Sequence, residues 1–212
     1  MKKNKFIKRK LNIVIFGDSI VGCSNLKLNK RWTQILIKKF NKIINFKVVA
    51  LNGGTSTDAI KNINLILRTK KIEILILSFG INDSVYWISK AGKPLVNLNK
   101  FENNIKKIIK KVREKHNAQT IFITSHKFLQ KRLEGNGKTH NDNYKNYKNQ
   151  IAKISKKFGP KVIDMEKNLK AFNPKKYCLP LPDGLHLNNF GSLKYSVFVS
   201  KFIINQLSQG FK

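Results

Sequence analysis

The stretch Leu11-Asn12-Ile13-Val14-Ile15-Phe16-Gly17-Asp18-Ser19 decides the fold. Its first six residues are apolar except for Asn12, and they are apolar at successive rather than alternate positions. A strand needs that pattern when helices cover both faces of its sheet. The run then breaks at Gly17-Asp18-Ser19, a turn that carries a carboxyl and a hydroxyl. In open parallel sheets ligands gather beyond the carboxyl ends of the strands, so Ser19 stands where chemistry is expected.

Working outward, the same alternation recurs along the chain. Strands are predicted at residues 12–16, 47–51, 72–78, 120–124 and 161–164, with helical stretches at 31–40, 57–67, 99–116, 143–158 and 189–207. Helical periodicity is clearest at 99–116, where Phe101, Ile105, Ile108, Ile109 and Val112 share one face and lysines occupy much of the other. Strands alternating with helices predict an α/β fold built on a parallel sheet covered on both sides. Residues 84–98 and 127–139 read as long loops, the second with a turn at Glu134-Gly135-Asn136-Gly137. No repeat or linker divides the chain. The reading is a basic extension over residues 1–10 and a single domain over 11–210.

Composition bounds the function. With 212 residues, 41% hydrophobic and 10% aromatic, the chain is long enough for a buried core and is not a disordered polymer. No apolar run approaches the ~20 residues needed to span a bilayer. Residues 11–16 follow a basic stretch as a secretion signal would, but the run is short and lacks a small-residue cleavage site, so it reads as a buried strand of a cytoplasmic protein. Cys23 and Cys178 have neither metal-type nor paired spacing and are expected to be free thiols.

The formal charge of +32 raises a polyanion partner. Lysine and asparagine fill helix faces and loops alike, without an arginine-rich stripe or a basic-aromatic module. The charge therefore reads as compositional, and nucleic acid is not the expected partner.

Four strand ends carry unusual chemistry: Gly17-Asp18-Ser19, Asn52-Gly53-Gly54-Thr55, Gly80-Ile81-Asn82-Asp83, and the approach to the last helix, Asp183-Gly184-Leu185-His186. Ser19 is a candidate nucleophile, with a helix N-cap as its plain alternative. Asp183 and His186, three apart on one turn, offer a carboxylate to one imidazole nitrogen while the other faces Ser19; a solvent-facing surface turn is the competing reading. The Ser19 amide, the Gly54 amide and the Asn82 side chain are candidate donors to an oxyanion. His116, His126 and His140 lack a carboxylate at that spacing and are read as structural or surface residues. Phe79, Tyr86 and Trp87 flank the third strand end as candidate lining for an acyl or sugar site, with core packing as their alternative.

In order and spacing, Phe16-Gly17-Asp18-Ser19-Ile20, Gly80-Ile81-Asn82-Asp83 and Asp183-Gly184-Leu185-His186-Leu187-Asn188 resemble the blocks of the SGNH hydrolase superfamily, also called the GDSL esterase/lipase family. Ile20 stands where the family name has Leu. The resemblance implies a three-layer α/β/α sandwich with a central five-stranded parallel sheet of flavodoxin-like type. It also implies Ser19 as nucleophile, His186 as base and Asp183 as its partner, with the Ser19 amide, the second-block glycine and Asn82 as the oxyanion hole. In that block Gly54 is preferred over Gly53. Asp18, Asp83 and Trp87 complete the expectation as substrate-binding residues.

The implied activity is hydrolysis of a short-chain ester, acetyl by preference and of a carbohydrate, through an acyl-enzyme and without a metal or other cofactor. Three alternatives compete with it. One is acyl transfer from the same site, and another is a metal-dependent phosphoesterase using Asp18, Asn82, Asp83 and His186. The third is a polyanion-binding protein on a hydrolase scaffold.

Overall fold

The computed structural model describes residues 9–87 and 92–208. Most of the basic extension, the tip of the first long loop and the last four residues lie outside that range. Five strands, β1 (Leu11–Gly17), β2 (Ile44–Ala50), β3 (Ile74–Ser78), β4 (Gln119–Thr124) and β5 (Lys161–Asp164), form one all-parallel sheet in the order β2-β1-β3-β4-β5. The first connection steps outward from β1 to β2, and the chain then returns to place β3 on the other side of β1. That reversal opens a crevice at the carboxyl ends of β1 and β3, where such sheets hold ligands.

The central strands are apolar throughout because both of their faces are covered. Ile15, Phe16, Leu75 and Ile76 are fully buried, and truncating one such side chain to alanine costs about 2–5 kcal/mol. Edge strand β2 begins three residues before the expected start. Its Ile44-Asn45-Phe46-Lys47 alternates apolar and polar, as suits an edge with one better-covered face.

Helices α2 (Trp32–Phe40) and α9 (Asn189–Ser208) pack together on one side of the sheet, while α3 (Ser56–Lys61), α5 (Leu98–His116) and α6 (His140–Phe158) line up on the other. This is the three-layer sandwich. The face of α5 made by Phe101, Ile105, Ile108, Ile109 and Val112 is buried as its periodicity required.

Two helices depart from expectation. The 57–67 stretch breaks into α3 and α4 (Asn64–Leu67) after Asn62, where the Ile63 amide donates to Ile60 O, three residues back, at 3.4 Å instead of continuing the i−4 ladder. Helix α6 starts at His140, since Thr139 and Asp142 close a capping box at its N-terminus. Short helices α7 (Met165–Asn168) and α8 (Pro174–Tyr177) lie in connections where none was predicted, and α1 (Ser19–Gly22) is the short helix that the N-cap alternative for Ser19 implies. Among the described residues no helix is long and apolar enough to cross a membrane.

Candidate active site

Gly17 sets the geometry at the end of β1. A Cβ there would sit 2.4 Å from Val21 Cγ2 and 2.6 Å from the Ser78 carbonyl, so no larger residue lets β1 close against β3. Asp18 is extended, and its Oδ1 accepts the Ile20 amide at 2.9 Å. Asp18, not Ser19, therefore caps α1, and the Ser19 hydroxyl is left for another partner. That partner is His186: its Nε2 lies 2.9 Å from Ser19 Oγ across 167 positions of sequence.

The other imidazole nitrogen, Nδ1, lies 2.8 Å from Asp183 Oδ2. Asp183 Oδ1 accepts the backbone amides of His186 (2.7 Å) and Leu185 (2.9 Å), so this carboxylate shapes its own turn. Partial burial pushes the Asp183 carboxyl up, but the two amides and the imidazole outweigh burial and hold it below the ordinary carboxylate value. It remains an anion facing Nδ1.

Every carbonyl of the 183–186 turn is held from outside. Gln130 Nε2 donates to Asp183 O (2.5 Å), the Leu129 amide to Gly184 O (2.7 Å), His126 Nε2 to Leu185 O (2.8 Å) and the Leu179 amide to His186 O (2.7 Å). His126 is completely enclosed, stacked edge-on by Phe128, Tyr177 and Tyr195, and its Nδ1 lies 2.7 Å from the Tyr195 hydroxyl. Burial, against the favourable bond to Leu185, pushes its imidazole down to about 4 and keeps it neutral at neutral pH. Sequence leaves His126 as a structural or surface residue, and its position directly after β4 is the one hint of this connection.

The candidate oxyanion donors divide. Among the described residues nothing accepts from the Ser19 amide, and the Asn82 side chain donates one hydrogen to Gly54 O at 3.0 Å, leaving its second hydrogen uncommitted. The Gly54 amide is turned back onto Leu51 O at 2.8 Å, so the donor role expected of Gly54 does not fit its geometry. Gly53 precedes it at φ +68°, a left-handed conformation suited to glycine, and among the described residues its amide makes no hydrogen bond.

Asp18 and Asp83 are also corrected. They are 1% and 0% exposed, which removes them from contact with a substrate. Asp83 instead accepts the Ser56 amide (3.0 Å) and hydroxyl (2.5 Å), while Asn104 donates to the same hydroxyl at 3.0 Å. This network ties the glycine loop to the strand end that bears Asn82, and neither Ser56 nor Asn104 stood out in sequence. Trp87, by contrast, is 54% exposed and lines an open cleft of about 1090 Å³ beside Asn82. Tyr86, Gln130, Lys131, Arg132 and Leu181 share that cleft. A second hollow of about 900 Å³ between α2 and α9 contains none of these residues.

Burial raises the Asp18 carboxyl to about 7, with the nearby Asp83 adding to the effect, and burial raises Asp83 to about 6. Among the described residues the enclosed Asp18 Oδ2 has no hydrogen-bond partner. The sign follows from linkage. Between the ordinary value of 3.8 and about 7 the folded protein keeps a proton that the unfolded chain has released, so stability falls as pH rises through that window. Asp18→Asn is therefore expected to gain thermal stability over wild type at pH 8 relative to pH 4. Parallel melting curves at the two pH values check this, and a difference independent of pH would reject it.

Among the described residues, no group of three or more His, Cys, Asp and Glu side chains is placed to hold a metal ion, and both buried aspartates are engaged in capping or anchoring bonds. The four residues weighed as a ligand set do not form one.

Comparison with known proteins agrees with this architecture. An acetyl xylan esterase is similar over 91% of this chain and 100% of its own, at 17% identity and a TM-score of 0.74. A lipase/acylhydrolase from Enterococcus faecalis covers 91% and 95% at 19% identity and a TM-score of 0.72. An acetylxylan esterase from Geobacillus stearothermophilus, solved as a catalytic mutant, covers 92% and 95% at 14% identity and a TM-score of 0.67. No curated protein matches the chain by sequence. At these identities the structures establish the shared fold. The sequence profile of the GDSL-like lipase/acylhydrolase family matches residues 15–192, which takes in the Ser19 turn, the Asn82 strand end and the Asp183–His186 turn. The chain belongs to the GDSL-like lipase/acylhydrolase family and is an SGNH-type ester hydrolase.

Proposed function

We propose that this enzyme hydrolyses a short-chain ester, an acetyl ester of a carbohydrate, through an acyl intermediate on Ser19. One observation carries the reading: the unbroken chain from Ser19 Oγ to His186 Nε2 (2.9 Å) and from His186 Nδ1 to Asp183 (2.8 Å). His186 takes the hydroxyl proton as Ser19 Oγ attacks the ester carbonyl. Asp183 holds the tautomer that leaves Nε2 free to accept, and stabilises the imidazolium. The imidazolium then protonates the departing alcohol, and the acyl group remains on Ser19. Water, deprotonated by the same ring, releases the acid.

The negative charge on the carbonyl oxygen falls to the Ser19 amide, the second hydrogen of Asn82 and the Gly53 amide, which takes the place expected of Gly54. These donors are fixed before substrate arrives, because Asp83, Ser56 and Asn104 brace the glycine loop. Asn82→Ala is expected to lower kcat by roughly 100- to 1,000-fold with a smaller change in KM, since a donor to the developing oxyanion acts mainly in the transition state. A steady-state titration with p-nitrophenyl acetate measures this. A change confined to KM would remove Asn82 from the oxyanion hole.

The acetyl preference is supported by the acetylxylan esterases among the similar structures and by the open, partly aromatic cleft beside Asn82, whose half-exposed Trp87 suits a sugar face. Comparing p-nitrophenyl acetate, butyrate and octanoate with acetylated sugars tests it. Acetate esters are expected to give the highest kcat/KM, and a maximum at octanoate would contradict the reading. Both cysteines are buried free thiols, which supports a reducing, cytoplasmic setting.

A further inference from the structure

The cleft beside Asn82 has an uneven charge. Lys131 and Arg132 line it, both exposed, and among the described residues neither takes part in an ion pair or a side-chain hydrogen bond. One acidic group, Glu134, lines the same cleft, but its side chain is only 14% exposed, against two exposed cations. Glu134 Oε2 accepts the Tyr86 amide at 3.0 Å and Asn143 Nδ2 at 2.7 Å, and Asp183 is occupied by His186 and its own turn. The open side of the cleft is thus cationic.

Composition explains a lysine there but not an arginine. Of the 43 basic residues 38 are lysine and 5 arginine, so arginine is seldom what this chain places at tolerant surface positions. Three of the five arginines have structural partners: Arg9 pairs with Glu73, Arg31 donates to Leu26 O and Arg113 to Phe158 O, while among the described residues the exposed Arg68 has none and lies outside the cleft. Arg132 instead has an uncommitted guanidinium in the cleft that also holds Trp87. A planar fork of donors matches a carboxylate or phosphate bidentately, while an indole face covers a sugar ring. Together they are suited to a sugar that bears an anionic group.

We infer that the alcohol half of the substrate is an anionic sugar, whose carboxylate or phosphate is held by Arg132 with Lys131 beside it while its acyl ester reaches Ser19. The inference rests on the Ser19 ester-hydrolase reading and narrows its substrate class. Arg132 is here a specificity residue that acts on the alcohol half. Bonds break and form at Ser19 as already described.

The test compares acetylated methyl glucoside, acetylated methyl glucuronate with a free carboxylate, and acetylated glucose 6-phosphate as substrates of the whole enzyme. A preference of about tenfold or more in kcat/KM for an anionic sugar over the neutral one is expected, in line with one charge-assisted contact. The ratio should fall toward unity in Arg132→Gln and be partly restored in Arg132→Lys. In wild type, the KM of the anionic substrate should rise with salt more steeply than that of the neutral one. A stronger response to carboxylate or to phosphate identifies which anion is read, and either supports the inference. Equal kcat/KM for all three sugars, or a preference that survives in Arg132→Gln and in high salt, overturns it. Turnover of p-nitrophenyl acetate by wild type and its loss in Ser19→Ala separate the two levels. If those hold and the anion preference is missing, the inference alone fails; if they do not, the ester-hydrolase reading fails and takes the inference with it.

Discussion

Ser19→Ala is expected to lower kcat for p-nitrophenyl acetate by roughly 10,000- to 1,000,000-fold while leaving the melting temperature close to that of wild type. The size of the loss follows from what the hydroxyl does: without it no covalent acyl intermediate forms, and only the oxyanion donors and binding remain to assist water. The small effect on stability follows from the local structure. Helix α1 is capped by the Asp18 side chain, and Ser19 contributes its backbone, which alanine reproduces. Among the described residues, removing Oγ deletes a single side-chain hydrogen bond, the one to His186. Steady-state rates together with a thermal melt check both halves. A variant that retains more than about a tenth of wild-type kcat would require another nucleophile.

Asp183→Asn is expected to cost roughly 1,000- to 10,000-fold in kcat, although it is nearly isosteric. The reason lies in the orientation imposed by the turn. The amides of Leu185 and His186 both donate to Oδ1, so an asparagine keeps its carbonyl oxygen there and presents its NH2 to His186 Nδ1. Nδ1 must then accept, which moves the ring proton to Nε2, where Ser19 needs an acceptor. The tautomer is wrong while the fold is kept. Asp183→Ala removes the anion but leaves the tautomer free, so it should retain more activity than Asp183→Asn if tautomer control dominates. Measuring kcat for both variants under identical conditions tests the order.

The sheet and the motifs that carry Ser19, Asp183 and His186 were legible because each left a local mark. Continuous apolar runs such as Ile13–Phe16 and Ile74–Leu77 are what burial on both faces demands, and the turns that follow carry short polar motifs at fixed spacing. Convergence of Ser19 with His186 was legible only as a consequence of topology, since both turns lie where a parallel sheet collects its ligands.

What sequence did not reveal is tertiary. Gly53 and Gly54 are indistinguishable on paper, and what separates them is the bond from the Gly54 amide to Leu51 O. Asp18 and Asp83 look like ligands because they flank the reactive positions, yet the packing beneath the strand ends buries both and gives them capping and anchoring work. His126 lies 59 positions from Leu185, and nothing in either segment announces that its imidazole holds that carbonyl. The break between α3 and α4 is a local shift of the Ile63 amide to an i−3 acceptor, within an apolar pattern that continues through it.

On the proposed mechanism Ser19 Oγ, activated by His186, attacks the ester carbonyl. Peptide mass spectrometry after treatment with a fluorophosphonate measures this most directly. One phosphonyl group on the peptide containing Ser19 is predicted, formed at least about 100-fold more slowly in His186→Ala. Full hydrolytic activity after saturating treatment, or a modified residue other than Ser19 in an inactivated enzyme, would contradict it.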